Sequence, residues 1–429
     1  MAHLGVLCYR GAGHLNPLIA LSRELVSRGH HVTFFLPREL ESRIRQQDLD
    51  FCPLDIPEVE STPADSEVGP QPNPGWIQDT RARLNRLDQE IGVYLREYLA
   101  AISASDVDAL LMGEISLAGP TVAEMSCIPY FVVSTSIPHN FGWSAPQRLL
   151  PYRTWQEELR ARIFEVSIFC MRGPVRRILD RYRHEAGLGS IADIGKTFPE
   201  LAHITQWPKC LDTTCHDMPE QFFYTGPFIN PEARSSIEFP WHELNGKPLV
   251  YASLGTTRKA DPEIYHRIAS ACAGLDLQLV VTLGGRRNIE SFADLPGNPL
   301  VVENAPQLDL LKRASFVITH AGPNTVLETL QFGLPMLALP VALDQPAVAA
   351  HLEMLGVAEV LPPQHCSAAE IRKALLKLMT EDRYQVASRK IQAQLQSLEG
   401  AVQAASIIEE ALANYACAPC YSDATNRSN

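Results

Sequence analysis

Long apolar runs are missing from this 429-residue sequence: no stretch approaches the roughly 20 consecutive apolar residues of a membrane-spanning helix. Basic residues are outnumbered by acidic ones, and the formal net charge is −12. A general nucleic-acid binder needs a basic face that displaces counterions, so this class is excluded. The sequence enters an apolar run at residues 3–9 without a basic segment before it. We therefore expect no secretory signal and a cytoplasmic protein.

A disulfide framework is also missing, because the ten cysteines are scattered without regular spacing. Cys417 and Cys420 have the spacing of a metal or redox pair, but no second pair lies near them in the sequence. We favour a flexible carboxyl-terminal tail over a zinc or redox site at this place.

Apolar runs with strand character alternate with helix-like segments, which predicts parallel sheets covered by helices on both faces. A chain of this length exceeds what one core usually supports, so two domains are expected. We place one α/β domain of the doubly wound, Rossmann-like type at residues 1–228, with a helical insert at 148–184. A proline-rich linker at 229–247 leads to a second such domain at 248–400, and residues 401–429 should form a last helix and a flexible tail.

One loop carries the clearest chemistry, and it follows the buried strand run at residues 316–319. Gly322 allows a close approach of the backbone, and Pro323 suits the first helical position, where an N–H would have no partner anyway. A helix start offers free N–H groups and a partial positive charge, which suits a phosphate. Three side chains can add hydrogen bonds at the same place: His320, Asn324 and Thr325.

Three further loops follow predicted strands, at residues 254–256, 303–307 and 340–345. Because parallel strands end at one edge of a sheet, these loops should meet the first one there. The last loop ends in Asp344 and Gln345, whose oxygens can accept hydrogen bonds from sugar hydroxyls. Together the four loops predict a site for a sugar nucleotide.

The same residues resemble a known signature. Asn-Ala-Pro-Gln at 304–307, His-Ala-Gly-Pro-Asn-Thr at 320–325, Glu328 and the pair Asp344-Gln345 match, with their spacing, the donor site of UDP-dependent glycosyltransferases that decorate small molecules. That family has the GT-B fold, in which two Rossmann-like domains face each other across a cleft, and its members invert the sugar configuration. The resemblance implies a UDP-sugar as donor substrate, no cofactor, and a hexose; Gln345 favours glucose.

The resemblance also assigns roles on the donor side. Ala305 and Gln307 should contact the uracil and ribose, and Glu328 should contact the ribose hydroxyls. The diphosphate should be held by Thr256, His320, Gly322, Asn324 and Thr325, and the transferred sugar by Asp344 and Gln345. Plant members usually carry Trp at the positions of Asn304 and Pro323, so this chain resembles the bacterial type.

A histidine follows the first predicted strand. Residues 11–13 have two glycines of a dinucleotide fingerprint, but Asn16 stands where a third is required, which makes a dinucleotide site the weaker interpretation. An ordinary histidine pKa of about 6.5 lets His14 accept a proton at neutral pH. The resemblance makes it the general base; a phosphate contact or a turn histidine is the alternative. In the family an aspartate usually orients this base, but the matching position here is Gly113. Either Glu114 substitutes for it or His14 works with a weaker helper.

Two Asp-x-Asp patterns, at residues 48–50 and 106–108, have the spacing that manganese-dependent glycosyltransferases use. Both precede predicted strands, at the sheet edge away from the predicted cleft. We therefore interpret them as turn and helix-end residues and expect no metal. The helix start and His320 would stabilise the leaving diphosphate instead.

The acceptor pocket should come from the first domain, with the insert 148–184 as a lid; contact of this insert with a membrane is the second interpretation. Candidate acceptor-binding residues are Trp76, His139 and Phe141. We expect transfer of the hexose to a hydroxyl of an apolar phenolic, sterol or carotenoid molecule. Two alternatives stay open: a UDP-sugar epimerase, which needs no acceptor, and a non-catalytic nucleotide-sugar-binding protein, which only Gly113 favours.

Overall fold

The computed structural model describes residues 1–57, 76–137, 173–191, 199, 201–212, 218–234, 236–255, 261–285, 289–341 and 344–417. Some predicted features lie outside these residues: His139, Phe141, most of the insert 148–184, Thr256 and Cys420. Trp76 begins a described helix, but its side chain is not among those that the structure describes.

Two sets of strands and helices follow each other along the chain. The first contains β1 (His3–Leu7), α1 (Ala12–Ser27), β2 (His31–Pro37), α2 (Glu41–Arg45), β3 (Asp50–Leu54), α3 (Trp76–Ser103), β4 (Ala109–Gly113), α4 (Gly119–Ser126), β5 (Tyr130–Ser134), α5 (173–185), β6 (Ala202–Thr205) and β7 (Phe222–Tyr224). The second contains β8 (Leu249–Ser253), α6 (Pro262–Cys272), β9 (Gln278–Thr282), β10 (Leu300–Val302), α7 (Gln307–Leu311), β11 (Ala314–Thr319), α8 (Pro323–Gln331), β12 (Met336–Ala338), α9 (Gln345–Met354), β13 (Ala358–Val360), α10 (Ala368–Thr380), α11 (Asp382–Gln396) and α12 (Gly400–Cys417).

Within the described residues each set forms one parallel sheet, and the two sheets have related strand orders. The first runs β3-β2-β1-β4-β5-β6-β7, and the second runs β10-β9-β8-β11-β12-β13. The order reverses between β1 and β4 in the first sheet and between β8 and β11 in the second. Ligands of open α/β sheets bind outside the carboxyl ends of the strands at such reversals. The predicted fold class, two doubly wound α/β domains, is confirmed.

Strands in the middle of the sheets are buried on both faces, which explains their uninterrupted apolar sequences. All five residues of β4 and all five of β8 are buried. The sequence predicts a strand after Asp50, but β3 begins at Asp50 itself, and Asp50 and Pro53 break its apolar pattern. This strand lies at the edge of its sheet, where a proline is tolerated.

Helix α1 differs from its prediction. Leucine spacing predicts a helix over residues 17–28, but α1 begins at Ala12 and Pro17 lies inside it. Proline has no N–H, so Pro17 cannot make the helical hydrogen bond to the carbonyl of Gly13, four residues earlier. The first turn of α1 therefore contains His14 and leaves the Gly13 carbonyl for a partner outside the helix.

The last described helix, α12, returns to the first domain. Ala404, Ala405 and Ile408 are buried in the core that also covers α1 and the first sheet. At the rim of this contact, Arg28 Nη1 lies 2.8 Å from Glu409 Oε2. None of the described helices is long and apolar enough to span a membrane.

Candidate active site

Two glycines hold the ring of His320 at the start of α8. This helix begins at Pro323, as predicted, and Gly322 is its N-cap residue. A Cβ on Gly322 would lie 2.5 Å from Nε2 of His320, and a Cβ on Gly255 would lie 2.6 Å from the same atom. Gly255 also has a φ of +86°, which favours glycine. The imidazole is therefore packed between the backbone segments that follow β8 and β11.

The protonation of His320 follows from this packing. Burial lowers its pKa below the ordinary value, while the carbonyl of Ser253 and the carboxylate of Asp344 act in the opposite direction. Nδ1 lies 3.4 Å from the Ser253 carbonyl oxygen, which can only accept a hydrogen bond. The other ring nitrogen, Nε2, lies beside Gly255 and beside Gly322, the N-cap residue of α8, and a helix start is a place where an anion is stabilised.

A buried carboxylate lies further along α8. Glu328 is 2% exposed, and its Oε2 accepts a hydrogen bond from Gln307 Nε2 at 2.6 Å. Its Oε1 is paired with the guanidinium of Arg234. Gln307 in turn accepts a hydrogen bond from the hydroxyl of Tyr251 at 3.1 Å. The resemblance implies that Gln307 and Glu328 both contact the ribose, and the structure places them in contact; the sequence predictions missed Arg234 and Tyr251.

The remaining predicted donor-side residues lie around the same edge of the second sheet. Gln345 is buried, and its Oε1 accepts a hydrogen bond from the N–H of Val341 at 2.9 Å. Ala305 is half-buried in the loop before α7. Thr325 is buried in the first turn of α8.

The carboxylate of Asp344 faces the first domain. It lies at the N-cap of α9, and its Oδ2 accepts a hydrogen bond from the hydroxyl of Ser136 at 2.5 Å. Ser136 follows β5 of the first sheet. The carboxyl edges of the two sheets therefore meet here, as the family resemblance implies.

His14 is held by a neutral hydroxyl group. Its Nδ1 lies 2.7 Å from Oγ1 of Thr135, and its ring packs edge-on against that of Tyr9 at 5.6 Å between centroids. Burial lowers the pKa of His14 below its ordinary value, and the Asp344 carboxylate partly offsets this effect. Because burial disfavours the protonated form, and Thr135 adds no negative charge beside Nδ1, the imidazole is predominantly neutral at pH 7.

An acid that orients the base would be hydrogen-bonded to His14, but Glu114 is hydrogen-bonded to the backbone instead. Its Oε1 accepts a hydrogen bond from the backbone N–H of Ser136 at 3.2 Å. Burial raises the pKa of Glu114 to about 7, although hydrogen bonds from Ser134 and from the backbone lower it again in part. In this structure it is Thr135, a residue that the sequence predictions missed, that occupies the Nδ1 side of His14.

A direct hydrogen bond joins the two sides of the site. Asn324 Nδ2 donates to the carbonyl oxygen of Gly13 at 2.5 Å, the group that Pro17 leaves without its helical donor. Asn324 Oδ1 accepts from Nε2 of the buried Gln206 at 2.8 Å. The loop that contains His14 thus lies against the start of α8.

The Asp-x-Asp patterns lie away from this site. Asp108 precedes β4, and its Oδ2 accepts a hydrogen bond from the backbone N–H of His3 at 2.7 Å. Asp48 has a φ of +56° in the turn before β3. Both are therefore turn residues at the amino edge of the first sheet. Among the described residues, no group of three or more His, Cys, Asp or Glu side chains is arranged to hold a metal.

Two family models match this chain on the two sides of the cleft. The one described as UDP-glucoronosyl and UDP-glucosyl transferase matches residues 233–393, which contain the donor-side residues. The one described as glycosyltransferase family 28 N-terminal domain matches residues 11–138, which contain His14 and Thr135. Together the two matches cover more than half of the chain.

Individual proteins agree with these matches over nearly the whole length. The chain is 27% identical to the zeaxanthin glucosyltransferase of Pantoea ananas, with 96% of each chain covered. It is 25% identical to NDP-glycosyltransferase YjiC of Bacillus licheniformis, with 96% of this chain and 98% of that one covered. The crystal structure of the glycotransferase of kitacinnamycin has the same fold, with a TM-score of 0.76 at 22% identity over 96% of this chain and 99% of that one. The chain therefore belongs to the GT-B glycosyltransferases of the family 1 type and is a glycosyltransferase enzyme.

Proposed function

We propose that this enzyme transfers a hexose, specifically glucose, from a UDP-sugar to a hydroxyl of an apolar small molecule. The transfer inverts the configuration of the sugar, and His14 is the general base. The hydrogen bond from Asn324 to the Gly13 carbonyl carries the proposal, because it brings the base loop to the start of α8. The glucosyltransferase that acts on zeaxanthin, a carotenoid, supports the sugar and the acceptor class.

The contact with Thr135 suits a base. In the proposed tautomer, His14 Nδ1–H donates to Thr135 Oγ1, and Nε2 carries the lone pair. Nε2 takes the proton of the acceptor hydroxyl while the hydroxyl oxygen attacks the anomeric carbon from the face opposite the nucleotide. The bond between that carbon and the diphosphate oxygen breaks, and UDP leaves with the electron pair.

The start of α8 receives the negative charge that develops on the diphosphate. Its free N–H groups and the helix dipole stabilise an anion without a metal ion. His320 Nε2 is directed to the same place, and a bound diphosphate would favour a proton on this nitrogen. Glu328 and Gln307 are proposed to bind the ribose, and Asp344 and Gln345 the transferred sugar.

An assay with UDP-glucose tests the proposal. Purified protein is incubated with and without a panel of zeaxanthin, a sterol and simple phenols, and both UDP release and glycoside formation are followed by mass spectrometry. The proposal expects a β-configured glycoside that forms only with acceptor, and unchanged rates in the presence of a chelator.

Other outcomes identify the alternatives. Epimer formation without acceptor would support an isomerase, and tight binding of UDP-glucose without turnover would support a non-catalytic binding protein. Loss of activity in chelator that manganese restores would overturn the metal-independent mechanism. An α-configured product would overturn inversion.

A further inference from the structure

We infer that Gln206 is a positioning residue that links the orientation of His14 to the donor-side residue Asn324; this inference rests on the proposed function. Gln206 directly follows β6 and is 1% exposed. It lies in the first domain, outside the motifs that the sequence predictions used.

Every polar atom of the Gln206 side chain is engaged. Its Nε2 donates to the backbone carbonyl of Thr135 at 2.6 Å and to Asn324 Oδ1 at 2.8 Å. Its Oε1 accepts from the backbone N–H of Phe228 at 3.3 Å. Since an amide group has two N–H donors and one oxygen, these contacts fix the orientation of the amide.

The contacts of Gln206 close a ring of hydrogen bonds. Thr135 Oγ1 holds His14 Nδ1 at 2.7 Å, and Asn324 Nδ2 holds the carbonyl of Gly13, the residue before His14, at 2.5 Å. The ring therefore runs from His14 through Thr135, Gln206, Asn324 and Gly13 back to His14. It crosses from the first domain to the second and returns.

Gln206 has two effects in this ring. It holds the backbone of Thr135, and with it the hydroxyl that orients the imidazole. It also decides the orientation of the Asn324 amide, because Oδ1 must face the Gln206 N–H group and Nδ2 then faces Gly13. Removing the amide should therefore misplace the base without removing any group that contacts the substrates.

The variant Gln206→Met tests this role, because it keeps the length of the side chain and removes its hydrogen bonds. We expect kcat to fall about 10- to 100-fold, the cost of a small misplacement of a reacting group, while both KM values change less than about threefold. The matched control is Gln47→Met. Gln47 is also buried, but it precedes β3 at the amino edge of the sheet, and this variant should keep full activity.

A double-mutant cycle separates positioning from general loss of structure. In a Thr135→Val background, Gln206→Met should lower kcat by a smaller factor than in the wild-type background, because the route to His14 through the Thr135 hydroxyl is already broken and only the route through Asn324 and Gly13 remains. Effects that multiply in the double variant would overturn the inference, as would a single variant with wild-type kcat. If Gln206→Met does not fold, Gln206→Glu keeps the volume and the oxygen that accepts from Phe228, and the same results are expected.

The variant His14→Ala, assayed with the same substrates, distinguishes failure of the proposed base from failure of the proposed role of Gln206. If this variant retains activity, the proposed base is wrong whatever Gln206 does. If it is inactive while Gln206→Met equals the wild type, only the role of Gln206 is wrong.

Discussion

The two sheets place different chemistry at the same topological point. Where the strand order reverses, the first sheet has His14 after β1 and Glu114 after β4, whereas the second has Gly255 after β8 and His320 after β11. The first sheet thus presents two titratable side chains, each held by groups from the segment after β5. The second presents one histidine that is enclosed by backbone.

This difference reflects the ligands that the two sides are proposed to bind. Burial lowers the pKa of His14 and raises that of Glu114 to about 7, so both shifts favour the uncharged forms near neutral pH. A side of the cleft with little charge suits an apolar acceptor. On the other side, a helix start and a buried Glu328 paired with Arg234 supply the charge and polarity that a nucleotide diphosphate needs.

The largest effect is expected when the two histidines, His14 and His320, are replaced, and the two variants should differ in which kinetic constant changes most. His14→Ala should lower kcat about 1,000-fold with little change in the KM for UDP-glucose, because general base catalysis contributes 100- to 10,000-fold. His320→Ala should instead raise the KM for UDP-glucose about tenfold and lower kcat by less than His14→Ala does, because it removes a contact to the proposed diphosphate both in the bound donor and as the leaving group departs. Steady-state kinetics of both variants checks this, and the reverse assignment of kcat and KM effects would overturn the comparison.

The second prediction concerns the enclosure of His320. Gly255→Ala places a methyl group against the ring and should weaken donor binding about 10- to 100-fold, measured by titration with UDP. The control is Gly246→Ala, because Gly246 has a similar φ of +80° but open space around a Cβ. It carries the same backbone strain without the contact and should bind UDP like the wild type. Equal losses in both variants would attribute the effect to strain alone.

The same contrast explains what the sequence predicts well. The donor side is built from backbone loops at strand ends, so its requirements appear as contiguous small and polar residues. The helix start at Pro323, shortly after a buried strand, was predicted correctly. The resemblance implies that both Gln307 and Glu328 contact the ribose, and in the structure their side chains are hydrogen-bonded to each other.

The first-domain side of the site is built from side chains that follow separate strands, and its contacts join residues far apart in the sequence. Thr135 after β5 and Gln206 after β6 are ordinary polar residues in sequence. The rule that singled out the donor loops, polar residues directly after parallel strands, would have found both if it had been applied to the first sheet. The start of α1 at Ala12 could not be predicted from the sequence. A proline usually marks the start of a helix, whereas Pro17 lies inside α1.

The third prediction concerns the charge on the donor side. Glu328→Gln should raise the KM for UDP-glucose about tenfold, because hydrogen bonds to a charged group are stronger than those to a neutral amide. Glu232→Gln is the control: Glu232 is 84% exposed and 3.6 Å from Arg23, and exposed ion pairs contribute little. Its kinetics should equal those of the wild type. An unchanged KM in Glu328→Gln would mean that the ribose does not use this carboxylate.

The smallest effect is expected for Glu114→Gln. Since Thr135 and not Glu114 contacts His14, kcat should stay within about a factor of three, less than about 1 kcal/mol in the activation free energy. A loss of about 100-fold, typical of a catalytic pair, would instead make Glu114 the working partner of the base.

The stability of the same variant has a pH dependence that can be derived. The pKa of Glu114 is about 7 in the folded protein and ordinarily 4.5. Between these values the unfolded chain has lost the proton that the folded protein still binds, so the free energy of unfolding falls as pH rises through this window. Glu114→Gln removes this decrease. Its Tm relative to the wild type should therefore rise from pH 4.5 to pH 7 and stay level above, and a pH-independent difference would mean that Glu114 ionises in the folded protein as it does in the unfolded chain.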